Sequence, residues 1–139
     1  MKVKEIMHKG VEWVSPDTPL TALATKMLKH DVGAIPIGEN DRLVGMVTDR
    51  DIAIRGLANG RDISKLTARD VMTKPVIWCW DSDNAMNAAR LMENKKIRRL
   101  PVIDDNKRMV GMLSLGDISH AVSDHTAAEV IKAVSAHHA

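Results

Sequence analysis

The sequence predicts an α+β protein made of two β-α-β-β-α repeats, packed through their sheets with pseudo-twofold symmetry. Three observations predict it. One motif is written twice in tandem. Each copy alternates helical and strand periodicity in the same order. The composition supports a packed aliphatic core, because hydrophobic residues make up 45% of 139 residues while Phe and Tyr are absent.

The duplication is read directly from register. Residues 5–58 align with residues 70–123. Met7 matches Met72, Trp13 matches Trp78, Met27 matches Met92 and Pro36 matches Pro101, each 65 apart. Gly45 matches Gly111 and Asp51 matches Asp117, each 66 apart. The one-residue slip falls between Ile37 and Leu43, in a turn, where insertion costs least. This divides the chain into repeat 1 (1–60), a polar linker (61–67), repeat 2 (68–123) and a tail (124–139).

Each copy opens on a short strand, at Val11–Val14 in the first. Ser15-Pro16-Asp17-Thr18-Pro19 then reads as a turn into a helix, with Thr18 as N-cap and Pro19 at the first helical position. Leu20, Leu23, Ala24, Met27 and Leu28 fall on one helical face. Ala85, Ala88, Ala89 and Met92 repeat the spacing with smaller side chains. Strands at Ala34–Ile37 and Leu43–Val47 flank a turn of Gly, Asn and Asp, and a second helix begins after Thr48. In the tail, Thr126 and Glu129 form a candidate capping box. Its apolar stripe of Ala127, Val130, Ile131 and Val134 suits a helix docked on its own module or a dimer contact.

Several function classes are disfavoured. The net charge is +2, unlike the basic excess of nucleic-acid or membrane-surface binders. With Cys79 the single cysteine, no intramolecular disulfide forms, which suits a reducing compartment. The N-terminus lacks the apolar run of a secretory signal, and no stretch approaches a membrane span. A soluble cytoplasmic protein is expected. No His-Glu-x-x-His or Cys-x-x-Cys pattern suggests a metal site, and no Walker loop or nucleophile elbow suggests catalysis. Cys79, between Trp78 and Trp80, reads as a small buried side chain rather than a nucleophile, with both Trp on one strand face.

The informative segment is Val44-Gly45-Met46-Val47-Thr48-Asp49-Arg50-Asp51-Ile52, matched by Val110–Ile118. Both read apolar strand, hydroxyl, two residues, aspartate, apolar helix. Thr48 with Asp51, and Ser114 with Asp117, fit N-cap and N3 residues that close a helix start. The same geometry suits a nucleotide. Free N–H groups at a helix start attract phosphate, and a nearby aspartate accepts ribose hydroxyls. Arg50 would neutralise phosphate charge. Caps alone and a ligand site remain two readings of one pattern.

The two copies resemble tandem cystathionine-β-synthase-type (CBS) domains, the pair called a Bateman module. The resemblance covers residues 3–123. It is carried by Ile6-Met7, Val71-Met72-Thr73, Ser15-Pro16-Asp17, Gly33-Ala34-Ile35-Pro36-Ile37, Arg99-Leu100-Pro101-Val102-Ile103 and the two hydroxyl-x-x-Asp segments. Short stand-alone bacterial pairs of the hypoxic response protein class are the most similar in kind. The resemblance implies a non-catalytic sensor that binds an adenine nucleotide in the cleft between repeats. AMP, ADP or ATP is implied first, then NAD or S-adenosylmethionine, with no catalytic cofactor. It also implies a homodimer and a separate downstream protein partner. Carried over by position, the ribose falls to Asp51 and Asp117, and Thr48 and Ser114 contact phosphate or ribose. Thr73, Lys74 and Pro75 line base or phosphate, and Arg99 reaches phosphate. Arg98 is sent to the opposite face by strand alternation.

The copies depart from the family pattern unequally. Copy one has His8-Lys9-Gly10 where copy two has Thr73-Lys74-Pro75, and Ala34 stands where Arg99 stands. Copy two has Gly116 in place of a basic residue. Two inequivalent sites are expected. An alternative is an apo interaction protein that assembles through sheet and helix faces, with the Thr/Asp and Ser/Asp pairs serving as caps only.

Overall fold

A computed structural model describes residues 1–10, 13–40 and 42–135. The chain divides into two compact units: a central unit of residues 13–76, and a composite unit of residues 1–12 with 77–139.

In the central unit, helix α2 (Leu20–His30) buries Leu20, Leu23 and Met27. Ala24 and Leu28, expected on that face, are exposed, Leu28 at 84%. The buried stripe is therefore narrower than the apolar one. The helix also starts one residue later than expected. Pro19, in extended backbone, is the cap rather than Thr18, and no side chain caps the end. The Leu66 carbonyl accepts the Leu20 N–H at 3.1 Å instead. Strands β2 (Ala34–Glu39) and β3 (Arg42–Thr48) pair antiparallel, with a register shift between Ile37 and Gly38. Of the strand expected at Val11–Val14, residues 11 and 12 lie outside the described residues. Val14 bridges Ile37 in parallel.

After Thr48 comes helical turn α3 (Asp49–Asp51), which continues as a π-helical segment over Ile52–Leu57. A 3₁₀ turn (Ile63–Lys65) and helix α4 (Ala68–Val71) follow. Residues 61–67, expected to be a polar linker, contribute to the core. Leu66 is buried, and Ile63 packs against the same cluster as Leu20, Leu23 and Val47. The reason is spacing: residues three apart share one side of a 3₁₀ turn.

The composite unit contains α1 (Val3–Ile6), β1 (His8–Lys9), β4 (Cys79–Trp80), α5 (Ala85–Lys95), β5 (Arg99–Ile103), β6 (Met109–Ser114), α6 (Leu115–Ala121) and α7 (Asp124–Ser135). Its sheet runs β1-β6-β5-β4. Ala88, Ala89, Met92, Leu100, Val102, Leu113, Ile118 and Val130 form its core with Val3 and Cys79. Helix α7 docks on α5 and α6, with Ala127 and Val130 buried and Ile131 41% exposed. Thr126, expected to open a capping box with Glu129, lies instead inside the first turn of α7. Ser123 Oγ accepts the Thr126 N–H at 3.3 Å, and Glu129 meets His125 at 3.1 Å. The side chain of Val134 lies outside the described residues.

The two units share one strand plan. His8 pairs with Met112 as Thr73 bridges Met46, and Cys79 pairs with Val102 as Val14 bridges Ile37. In each unit the segment beside β6 or β3 therefore belongs to the other sequence copy. The packed unit is offset from the repeat.

Glycine is required where that segment approaches. A Cβ on Gly111 would lie 2.5 Å from the His8 carbonyl oxygen and 2.8 Å from Met7 Sδ. On Gly45 it would lie 2.5 Å from Met72 Sδ, the movable end of a flexible side chain. Gly111→Ala is expected to cost about 1–3 kcal/mol, the range for overpacking, and Gly45→Ala less. Urea unfolding of both variants checks this, and a larger loss for Gly45→Ala would contradict it.

Candidate functional site

Both hydroxyl-x-x-Asp segments form the expected helix start. In the central unit Thr48 Oγ1 accepts the Asp51 N–H at 3.1 Å, and Asp51 Oδ2 accepts the Thr48 N–H at 2.9 Å. In the composite unit Ser114 Oγ accepts the Asp117 N–H at 3.0 Å, and Asp117 Oδ2 accepts the Ser114 N–H at 2.9 Å. A hydroxyl and a carboxylate three residues apart suit this, because each can reach the other's backbone donor when the chain turns from strand to helix. Each cap engages one carboxylate oxygen on the backbone. The second oxygen faces other groups, and these differ between the units.

Asp51 is 9% exposed and is the charged side chain buried among the described residues. Thr73 Oγ1 lies 3.5 and 3.4 Å from its Oδ1 and Oδ2. Thr73 is held there by two backbone bonds: its N–H donates to the Met46 carbonyl at 2.8 Å and its carbonyl accepts from Met46 at 3.2 Å. Lys74 and Pro75 follow it and are exposed. Thr48, Asp51 and Thr73 thus converge although they lie in different sequence copies.

Arg50 is not the cation that faces Asp51. It is exposed, and its backbone N–H bonds to Asp49 Oδ1 at 2.8 Å. Arg55 takes the place, with Nε 3.9 Å from Asp51 Oδ1. Its Nη1 also donates to the Met72 and Val71 carbonyls at 3.2 and 3.4 Å. Sequence reasoning passed over Arg55. The signal available was its spacing, four residues after Asp51, which brings side chains together on one helical face.

In the composite unit the position of Thr73 is taken by His8, whose Nδ1 lies 3.3 Å from Asp117 Oδ1. Arg99 sits opposite Ser114 in the β5–β6 register. Both border an open depression of about 350 Å³, which Gly116 and Ser119 also line. Arg98 lines it too, against the expectation that alternation sends it elsewhere. Arg98 immediately precedes β5, where the two-residue pleat no longer governs direction.

Cys79 is buried, and burial, with Asp83 and Asp81 nearby, pushes its thiol up to about 12. Burial disfavours the thiolate, so the side chain is a small apolar filler as expected. Trp78 and Trp80 meet edge to face at 4.7 Å. Among the described residues no group of three or more His, Cys, Asp or Glu is placed to hold a metal. Among the same residues no helix is long and apolar enough to cross a membrane.

The fold and the paired sites define a duplicated α+β module with a carboxylate-capped helix start in each unit. The model of the CBS domain matches residues 3–56 and 68–124, and the chain belongs to that family. It is 38% identical to hypoxic response protein 1 of Mycobacterium tuberculosis over 132 residues, which are 94% of this chain and 92% of the relative. A crystal structure of hypoxic response protein I with two coordinated zinc ions superposes with a TM-score of 0.77 at 38% identity, covering 88% of this chain and 99% of that one. A CBS domain pair solved with 5′-methylthioadenosine and S-adenosyl-L-methionine gives 0.78 at 30% identity, covering 87% and 94%. CBSX2 solved in complex with AMP gives 0.71 at 28%, covering 86% and 94%.

Proposed function

We propose that this protein is a non-catalytic regulatory module that binds an adenine nucleotide at its carboxylate-capped helix starts. The observation that carries the reading is the cap itself. Asp51 and Asp117 each engage one oxygen on the backbone and keep a second oxygen that can accept ribose hydroxyls. Thr48 and Ser114 then contact phosphate or ribose. Thr73, Lys74 and Pro75 would line base or phosphate in the central site, while Arg99 in the composite unit and the exposed Arg50 in the central one would neutralise phosphate charge. Relatives solved with AMP, 5′-methylthioadenosine and S-adenosyl-L-methionine support a ligand built on adenosine. AMP, ADP and ATP stand first, with S-adenosylmethionine and NAD after them. Binding would shift a conformational equilibrium by no more than the ligand's differential affinity for the two states. The reading includes a cytoplasmic homodimer whose state a separate protein partner senses.

A second reading is favoured by the completeness of the caps. Both pairs satisfy helix-start donors without any ligand, as in an apo interaction protein. Calorimetric titration with AMP, ADP, ATP, NAD and S-adenosylmethionine separates the two. A true ligand at about 100 times its Kd is expected to stabilise the fold by roughly 2.7 kcal/mol, visible as a raised Tm. Neither heat nor a Tm shift with any of the five would leave the caps as structure only.

A further inference from the structure

We propose that Arg55 is a positioning residue of the central unit. It holds the segment bearing Thr73 against Asp51 and makes this the preformed one of the two sites. The inference rests on the nucleotide-binding reading for its functional consequence and on geometry for the clamp itself.

One guanidinium joins three groups. Nη1 donates to the carbonyls of Val71 and Met72, at the end of α4, and Nε lies 3.9 Å from Asp51 Oδ1. Thr73, the next residue, is thereby fixed beside the carboxylate, where its hydroxyl reaches both oxygens. A planar fork of donors can span such a set, whereas a lysine ammonium cannot. Arg55 extends from the π-helical segment that follows Asp51, a geometry that recurs at functional sites.

The duplication supplies an internal comparison. The position equivalent to Arg55, 66 residues on, is Ala121. The composite unit therefore has no guanidinium at this position, and its carboxylate meets the exposed imidazole of His8, 77% open to solvent, rather than a hydroxyl. Preorganised groups bind with less ordering cost than groups that must be gathered by the ligand. The central site is accordingly filled first as ligand concentration rises.

Hydrogen exchange and AMP titration on the full chain test this with wild type, Arg55→Gln and Arg55→Lys. The Thr73 and Met46 amides, which bond each other's carbonyls, report the clamp. The Leu115 amide, bonded to the Arg98 carbonyl in the composite unit, is the control. Arg55→Gln is expected to speed exchange at Thr73 and Met46 roughly tenfold, and to weaken AMP binding at the first-filled site by a similar factor. Arg55→Lys falls between, and Leu115 is unchanged. Unaltered exchange at Thr73 and Met46 overturns the clamp. Faster exchange with unaltered AMP affinity overturns its part in the site. If wild type takes up no AMP, AMP is ruled out as the ligand, and exchange alone decides whether the clamp exists.

Discussion

Asp51→Ala is expected to weaken AMP binding at the central site by roughly tenfold to more than a hundredfold. That is the range for removing hydrogen bonds to a charged acceptor. The same substitution deletes half of the reciprocal cap with Thr48, which costs about 0.5–2 kcal/mol of fold stability. The two effects are separable. Titration reads the first and urea unfolding the second. Asp51→Asn keeps one acceptor oxygen but loses the charge, so it retains more of the cap than of the affinity. Asp117→Ala serves as the matched change in the composite unit. If Asp51→Ala lowers stability by the cap amount and leaves AMP affinity intact, the carboxylate is not a ligand group.

Leu23→Ala is expected to cost about 2–5 kcal/mol, the range for truncating a buried leucine where the core cannot collapse. Leu23 is fully buried on α2, packed with Leu20, Met27, Val47 and Leu66. The equivalent position in the composite unit, 65 residues on, is already alanine: Ala88, also buried. Helix α7 packs on α5 there, and its Val130 shares the cluster with Ala88 and Ala89. The reverse change, Ala88→Leu, therefore overpacks and is expected to cost about 1–3 kcal/mol. Urea denaturation of both variants measures the pair. A loss under about 1 kcal/mol for Leu23→Ala would mean that the α2 face is looser than its burial implies.

Much of this architecture was legible because it is local. The strands β2, β3, β5 and β6 follow from apolar runs bounded by turns. The helix starts at Thr48 and Ser114 follow from a hydroxyl and an acid three residues apart. The same spacing that marked the caps also marked the candidate site. The less legible features depend on which distant segments meet. Periodicity places Thr73 on an entry segment but does not say that it packs beside Asp51 from the other copy. For the same reason Thr48 and Asp51 read as features of copy one, and Thr73 as a feature of copy two. The structure joins Thr48, Asp51 and Thr73 in one unit. Leu66 was hidden by its polar neighbours, since Ile63 and Leu66 alone among Asp62, Ser64, Lys65 and Thr67 make one spacing of three, too short to establish a period. Arg55 was hidden by Arg50, which is nearer in sequence yet turns away.

The offset between repeat and packed unit has a consequence for how such chains arise. What was copied in the gene and what folds as a body are not the same stretch of residues. A solitary copy ends its sheet on an open edge beside β3 or β6, and its own entry segment is built for another molecule's edge. The smallest closed set of these repeats is thus a pair that lends segments reciprocally. With both loans made inside one chain, His8 and Thr73 need not be the same residue, and the two carboxylates meet different side chains.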